Sequence, residues 1–257
     1  LMTDYGKVDI LWLDGGWVRP FSSIDTSVSW QKAITIEQDI DMPRIAAMAR
    51  SKQPGLLVVD RTVGGEFENY ITPEGHVPEK DPGVPWETCM PMGTSWSWVP
   101  NEQYKSTDEI IRTLVKVVSR GGSLLLNVAP GPDGQLDSVA YVRLKEVGEW
   151  LKVNGEAVYG TNGVDGSVLS GLVGQTHVHR KGERRTDYFF LDPNVIGPGT
   201  FTVPFPAWKY GEQVACFGTK AKVKLGRMKD TLTIKLPSEL RSGPPVVIKV
   251  SYSSSAF

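Results

Sequence analysis

Several classes of protein are excluded by what this 257-residue chain has little of. Two cysteines, Cys89 and Cys216, cannot make a disulfide framework, and neither has metal-ligand spacing around it. Histidine is limited to His76, His177 and His179. His177 and His179 in a strand would share one face, but no third ligand lies nearby in sequence, which argues against a metal site. No run of about 18 apolar residues exists to cross a membrane. The formal net charge of −1 leaves no basic footprint for nucleic acid and no acidic tail. Leu1-Met2-Thr3-Asp4-Tyr5-Gly6 has no basic region, apolar core or cleavage site, so it does not read as a signal peptide. It reads as the last turn of a helix stopped at Tyr5-Gly6, and the expectation is that this sequence is the later part of something longer. No internal repeat or low-complexity segment stands out.

Tryptophan, by contrast, is abundant. Six of the eight (Trp12, Trp17, Trp30, Trp86, Trp96 and Trp98) lie in the first hundred residues. Aromatic faces stack on the C–H faces of sugars, although large rings also fill cores. The stretch Val8-Asp9-Ile10-Leu11-Trp12-Leu13-Asp14-Gly15-Gly16 begins as a buried strand and stops on a carboxylate before two glycines. Alternation puts Val8, Ile10, Trp12 and Asp14 on one face. An indole and an acid then share a surface at the carboxyl end of a strand, where catalytic residues sit in α/β barrels. A structural reading stands beside this one, because Asp-Gly also opens turns.

A loop rich in Gly, Pro, Ser and Trp follows over 15–35, and apolar spacing predicts a helix over 39–50 with Pro43 in its first turn. Leu56-Leu57-Val58-Val59-Asp60 is a second apolar run ending in an acid. Such runs suit parallel strands covered on both faces. The long loop 61–85 leads into Pro85-Trp86-Glu87-Thr88-Cys89-Met90 and then Ser95-Trp96-Ser97-Trp98. Long loops of this kind are functional or disordered. Ser106-Thr107-Asp108-Glu109 offers a capping box, and Ile110, Ile111, Leu114, Val117 and Val118 mark a helix face ended by Gly121-Gly122. Residues 123–128 form a third buried strand. A helix over 137–153 carries Ala140, Leu144, Val147 and Leu151, with Asn154-Gly155 as its stop. From about 156 short alternating segments (175–181, 185–191, 199–204, 213–217, 221–225, 231–236 and 245–252) read as a β-sandwich with no further helix. The fold class is therefore α/β: a partial (β/α)8-type barrel over 1–158, followed by an all-β sandwich domain over 159–257.

A barrel top with a strand-end Asp, an acidic loop and many tryptophans points to a glycosidase. Retaining enzymes place two carboxyl groups about 5–5.5 Å apart, one as nucleophile and one as acid/base. Asp14 is the first candidate. The loop offers Glu66, Glu68, Glu74, Glu79 and Glu87 as partner, Glu74 being favoured by the rigid Pro73 before it. Arg61 could pin a carboxylate or a sugar hydroxyl, or form a structural ion pair with Asp60 or a loop acid.

These segments, in order, resemble the α-L-fucosidases of glycoside hydrolase family 29. The resemblance is carried by Val8-Asp9-Ile10-Leu11-Trp12-Leu13-Asp14-Gly15, Val59-Asp60-Arg61, Tyr70-Ile71-Thr72-Pro73-Glu74 and Pro85-Trp86-Glu87-Thr88-Cys89. It continues in Gly121-Gly122-Ser123-Leu124-Leu125-Leu126-Asn127-Val128-Ala129-Pro130 and Trp150-Leu151-Lys152-Val153-Asn154-Gly155-Glu156-Ala157-Val158-Tyr159. It covers residues 1–162, and the β-domain by architecture alone. The resemblance implies a retaining exo-α-L-fucosidase without metal or organic cofactor. Asp14 is then the nucleophile and Glu74 the acid/base, with Glu66, Glu68 and Glu87 as alternatives. Trp12, Arg61 and Trp86 would bind substrate, and Trp96 would pack on the C5 methyl of fucose. The implied partner is a fucosylated oligosaccharide or glycoconjugate, and the implied setting is secreted, periplasmic or lysosomal. The family's barrel starts with about three further βα units that have no counterpart here. The expectation is a piece of a longer enzyme, or a homo-oligomer or complementing chain that closes the barrel. Two rival readings are a non-catalytic truncated barrel that binds fucosylated glycans weakly or packs with a partner, and a glycosidase for another sugar.

Overall fold

A computed structural model of the chain describes residues 1–61, 64–164, 172–178, 185–196, 200–204, 211–217, 224–228, 231–235 and 242–252. They fall into two compact units, one of Leu1–Pro73 with Gly83–Glu87 and one of Glu74–Pro82 with Thr88–Phe257.

In the first unit, β1 (Ile10–Leu13) pairs in parallel with β2 (Leu57–Asp60), Ile10 opposite Leu57 and Leu13 opposite Asp60. Parallel neighbours need a crossover, and α1 (Met42–Lys52) lies within it. The helix starts later than the expected residue 39. Asp41, left-handed at φ 54°, ends the incoming loop and accepts a hydrogen bond from the Arg44 amide. A cap of this kind supplies an acceptor that the first turn lacks. Met42, Ala46 and Ala49 of α1 pack with Leu56 and Val58, and Leu11 and Leu13 adjoin the same cluster. The opposite strand face departs from expectation. Ile10 is 46% exposed and Leu57 42%, so this face is open at the start of the strands, whereas Val59 further along it is fully buried.

In the second unit, β3 (Glu87–Pro91) pairs with β4 (Ser123–Asn127). Between them runs α2 (Thr107–Ser119), capped as expected by the Ser106 hydroxyl, which accepts from the Glu109 amide at 3.2 Å. Ile110, Ile111, Val115 and Val117 are its buried apolar residues, with Leu114 and Val118 half-buried. Gly121, at φ 77°, and Gly122 return amides to Val118 and Val117 and stop the helix. The β4 run is less buried than its composition implies, Leu125 being 46% exposed. Here too one face is open in part.

The chain continues through α3 (Ser138–Asn154) into two antiparallel sheets. One has five strands in the order β5 (Asn162–Gly163), β6 (Leu172–Val178), β7 (Thr186–Leu191), β12 (Val246–Tyr252), β9 (Gly211–Cys216). The other has the order β10 (Lys224–Met228), β11 (Thr231–Lys235), β8 (Thr200–Pro204). One helical turn was not expected, α4 (Pro193–Ile196), where the Asp192 carboxylate accepts from the Asn194 amide at 2.9 Å. Short Asp side chains nucleate such turns.

One cluster joins helices to sheet: Ile111 and Val115 of α2, Trp150 of α3, Ala157, Val158, Tyr188, Phe190 and Val247. Polar bonds seal it, with Trp150 Nε1 donating to the Pro245 carbonyl at 3.3 Å and Thr176 Oγ1 to that of Ala157 at 2.7 Å. Among the described residues no helix is long and apolar enough to cross a membrane.

Phe190 is fully buried in this cluster. Phe190→Ala is expected to destabilise the chain by about 3–5 kcal/mol and Ser106→Ala by about 1 kcal/mol, read from denaturant unfolding.

Candidate active site

The chemistry of the first unit gathers at the carboxyl ends of β1 and β2. The Arg61 amide donates to the Leu13 carbonyl at 3.1 Å, which extends the ladder one step past β2. Asp14 and Arg61 therefore leave the two strands side by side, on the face that carries Trp12. The contacts agree. Arg61 Nη1 lies 3.5 Å from Asp14 Oδ1, and the guanidinium stands over the Trp12 ring, 5.0 Å from its centroid. A guanidinium on an indole gains cation–π attraction and keeps in-plane donors for an oxygen ligand. Arg61 thus lies within ion-pair distance of Asp14. The Trp12 indole N–H is buried and has no acceptor among the described residues.

Asp14 also opens a turn, so its structural reading holds together with its placement at the strand end. Its Oδ1 accepts from the Gly15 amide at 3.0 Å, and Val18 N donates to the Gly15 carbonyl at 2.7 Å. Gly15 has φ 129°, a conformation that a side chain would strain. The carboxylate itself is 56% exposed, open to a ligand.

The loop acids have separate environments. Glu66 is exposed on a 3-10 turn, Gly65–Phe67, and Glu68 accepts from the Gly65 amide at 3.3 Å. Glu87 is half-buried. The Ile71 carbonyl accepts from its amide at 3.0 Å, and Tyr70 hydrogen-bonds its carboxyl. Burial pushes the Glu87 carboxyl above its ordinary value of 4.5, and the Tyr70 hydrogen bond opposes that rise. Tyr70 is raised in turn, first by burial and then by the Glu87 charge. A carboxyl raised by burial is shifted in the direction that general acid work uses. Trp86, expected to contact substrate, is instead only 4% exposed.

Glu74 and Trp96 belong to the second unit. Glu74 is exposed and forms a parallel bridge with Cys89, where the Gly75 amide donates to the Cys89 carbonyl at 2.8 Å. What was expected as free loop is thus tied to β3. Trp96 is 43% exposed, and its carbonyl accepts from Asn127 Nδ2 at 3.0 Å at the end of β4. No metal-holding group of His, Cys, Asp or Glu is present among the described residues, and His179 lies outside them.

Sequence reasoning missed Asn69, which anchors the loop. Its amide donates to the Val58 carbonyl at 2.8 Å, its Oδ1 accepts from the Val58 amide at 2.8 Å, and Arg50 clasps the same Oδ1 at 3.0 Å. Nothing in local spacing signals that pairing. Tyr70 could have been found, since it opens a quoted motif.

A strand-end carboxylate, an arginine and a tryptophan thus meet at the ends of β1 and β2. The chain's relatives define the class. The family model described as Alpha-L-fucosidase matches residues 1–156. The plasma alpha-L-fucosidase of Homo sapiens is 42% identical over 81 residues, 30% of this chain and 17% of that protein. The alpha-L-fucosidase of Dictyostelium discoideum is 28% identical over 169 residues, 63% of this chain and 34% of that one. Among solved structures, Thermotoga maritima alpha-fucosidase with a mechanism-based inhibitor matches at TM-score 0.62 and 28% identity, covering 82% of this chain and 48% of that one. Alpha-L-fucosidase isoenzyme 1 of Paenibacillus thiaminolyticus shares the fold at TM-score 0.75 and 21% identity, covering 98% and 60%. The chain belongs to the α-L-fucosidase family, glycoside hydrolase family 29. It spans well under half of the two curated relatives.

The raised Glu87 carboxyl makes stability depend on pH with a definite sign. A folded pKa above the unfolded one means that the native state binds the proton more tightly. Its contribution is full below the unfolded value and is lost as pH rises through the raised native value. Tyr70→Phe removes the opposing hydrogen bond and should move that loss to higher pH, whereas Glu87→Gln should abolish it. Unfolding titrations across pH 4 to 8, with carboxyl NMR of Glu87, read both outcomes.

Proposed function

We propose that this chain carries the catalytic carboxylates of a retaining exo-α-L-fucosidase, which removes terminal α-L-fucose from glycans by double displacement. The observation that carries the reading is the Trp12–Arg61–Asp14 contact at the ends of β1 and β2, in a chain of this family. Asp14 attacks the anomeric carbon and forms a fucosyl ester. Glu74 protonates the departing glycosidic oxygen and then deprotonates the water that frees fucose. Arg61 offers donors to fucose hydroxyls, and Trp96 presents its ring to the C5 methyl. The inhibitor and fucose complexes of the Thermotoga enzyme, 28% identical, support the same sugar and a mechanism-based route. Glu66, Glu68 and Glu87 are the competing acid/base assignments, and burial of Glu87 favours it among them. The βα units of residues 1–158 belong in this reading to a (β/α)8-type barrel, and 159–257 to a β-sandwich. Further barrel units, or a second copy, would cover the exposed Ile10 and Leu57 face. The setting is secreted, periplasmic or lysosomal, and no metal or organic cofactor takes part.

The exposure of Ile10, Leu57 and Leu125 favours one second reading: a truncated, non-catalytic fold that holds fucosylated glycans or a partner chain. Hydrolysis of an aryl α-L-fucoside separates the two. The chain is expected to turn it over, and Asp14→Ala to lower kcat roughly a thousandfold or more. A folded chain with no hydrolysis leaves the non-catalytic reading standing. Azide should restore turnover to Glu74→Ala; restoration in Glu66→Ala, Glu68→Ala or Glu87→Ala instead would move the acid/base role there.

A further inference from the structure

The turn that holds Asp14 rests on two glycines, and two glycines confer mobility unless something else restrains them. That restraint comes from the loop after it. The Gly16 carbonyl accepts a short hydrogen bond from Arg19 Nε. Arg19 is 6% exposed, and its Nη1 donates to the Ser23 carbonyl at 3.2 Å and to Gln31 Oε1 at 3.1 Å. Gln31 is itself buried, and its Oε1 also takes the Asp25 amide at 2.7 Å. Trp30 closes the assembly, with the Arg19 guanidinium 5.4 Å from its ring centroid. The ring also reaches Gly16, where an added Cβ would lie 2.9 Å from Trp30 Cη2 and 2.9 Å from the Arg61 carbonyl oxygen. Gly16 is therefore held between the Trp30 ring, the Arg61 backbone and the Arg19 side chain.

We propose that Arg19 is a positioning residue for the nucleophile, acting through Gly16 to fix the turn on which the Asp14 carboxylate is presented. The proposal rests on the reading of Asp14 as nucleophile. Only a guanidinium suits the place. Its planar fork serves the Gly16 carbonyl, the Ser23 carbonyl and Gln31 at once, and its flat face meets the indole. A lysine would keep the charge and the stem but could not reach all three acceptors. A carboxylate that must attack within about 3–3.5 Å loses rate steeply when its backbone drifts. Trp12 and Arg61 align Asp14 from the strand side, and Arg19 does so from the loop side.

Two variants displace the same turn by different routes: Arg19→Lys loosens it, and Gly16→Ala pushes it off Trp30 and the Arg61 carbonyl. In each, kcat on an aryl fucoside should fall about ten- to a hundredfold, with KM within about twofold, since neither residue touches the sugar. Amide relaxation of Gly15 and Gly16 in Arg19→Lys should show disorder absent from the parent, while Phe190 and its neighbours keep parental shifts. A rise in KM at constant kcat would make Arg19 a substrate contact and overturn the proposal. Equal order at Gly15 and Gly16 in parent and Arg19→Lys would overturn it as well. Should the parent itself show no hydrolysis, the fucosidase reading fails, and the relaxation result still decides for or against the clamp. Should Arg19→Lys not fold, Gly16→Ala with parental kcat would overturn it.

Discussion

The register between β1 and β2 is the constraint on which the first unit's chemistry depends. Leu13 stands opposite Asp60, so the next residues on each strand, Asp14 and Arg61, emerge together on the Trp12 face. A slip of one residue would turn one of them to the opposite face and break the contact. What prevents the slip is packing on the other side of the same strands. Leu11, Leu13 and Val58 face the cluster of Met42, Ala46 and Ala49, and reversing them would expose that core to water. The polar arrangement at the strand ends is thus held by an apolar one behind it.

The candidate carboxylates are divided by environment. Asp14 is open and close to a guanidinium, Glu74 is exposed on a bridged segment, and Glu87 is half-buried against a tyrosine. Chemistry that needs one ionised and one protonated carboxyl requires such inequality. Burial, which the Tyr70 hydrogen bond opposes, sets Glu87 apart from the exposed Glu74.

Motif residues need not be site residues. Trp150, Asn154, Glu156, Ala157 and Val158 lie in one of the segments that carry the family resemblance, yet all serve the seam between α3 and the five-stranded sheet. Trp150, Ala157 and Val158 are core, Asn154 Nδ2 donates to the Trp150 carbonyl at 2.9 Å, and the Tyr188 hydroxyl donates to Glu156 at 2.7 Å. Trp86, in another of those segments, is also almost wholly buried.

Local patterning was enough to find α2 with its Ser106 cap, the β1 stop at Asp14-Gly15 and the alternating strands after 171, because capping, turn chemistry and side-chain period act within a few residues. It misjudged what neighbours decide. The apolar runs at 8–13, 56–59 and 123–126 are indistinguishable from strands buried on both faces, yet Ile10, Leu57 and Leu125 are open, because covering a face takes another layer and not a longer run. Asn69 completing the Val58 pairing, Tyr70 meeting Glu87, and Arg19 and Trp30 closing on Gly16 join residues up to 17 positions apart with no periodic signal. By itself the sequence determined that Asp14 ends a strand beside an indole. Only the tertiary structure decided that Arg61, 47 positions on, would lie against it, because hydrogen-bonded strand register, and not local propensity, brings the two strands' ends together.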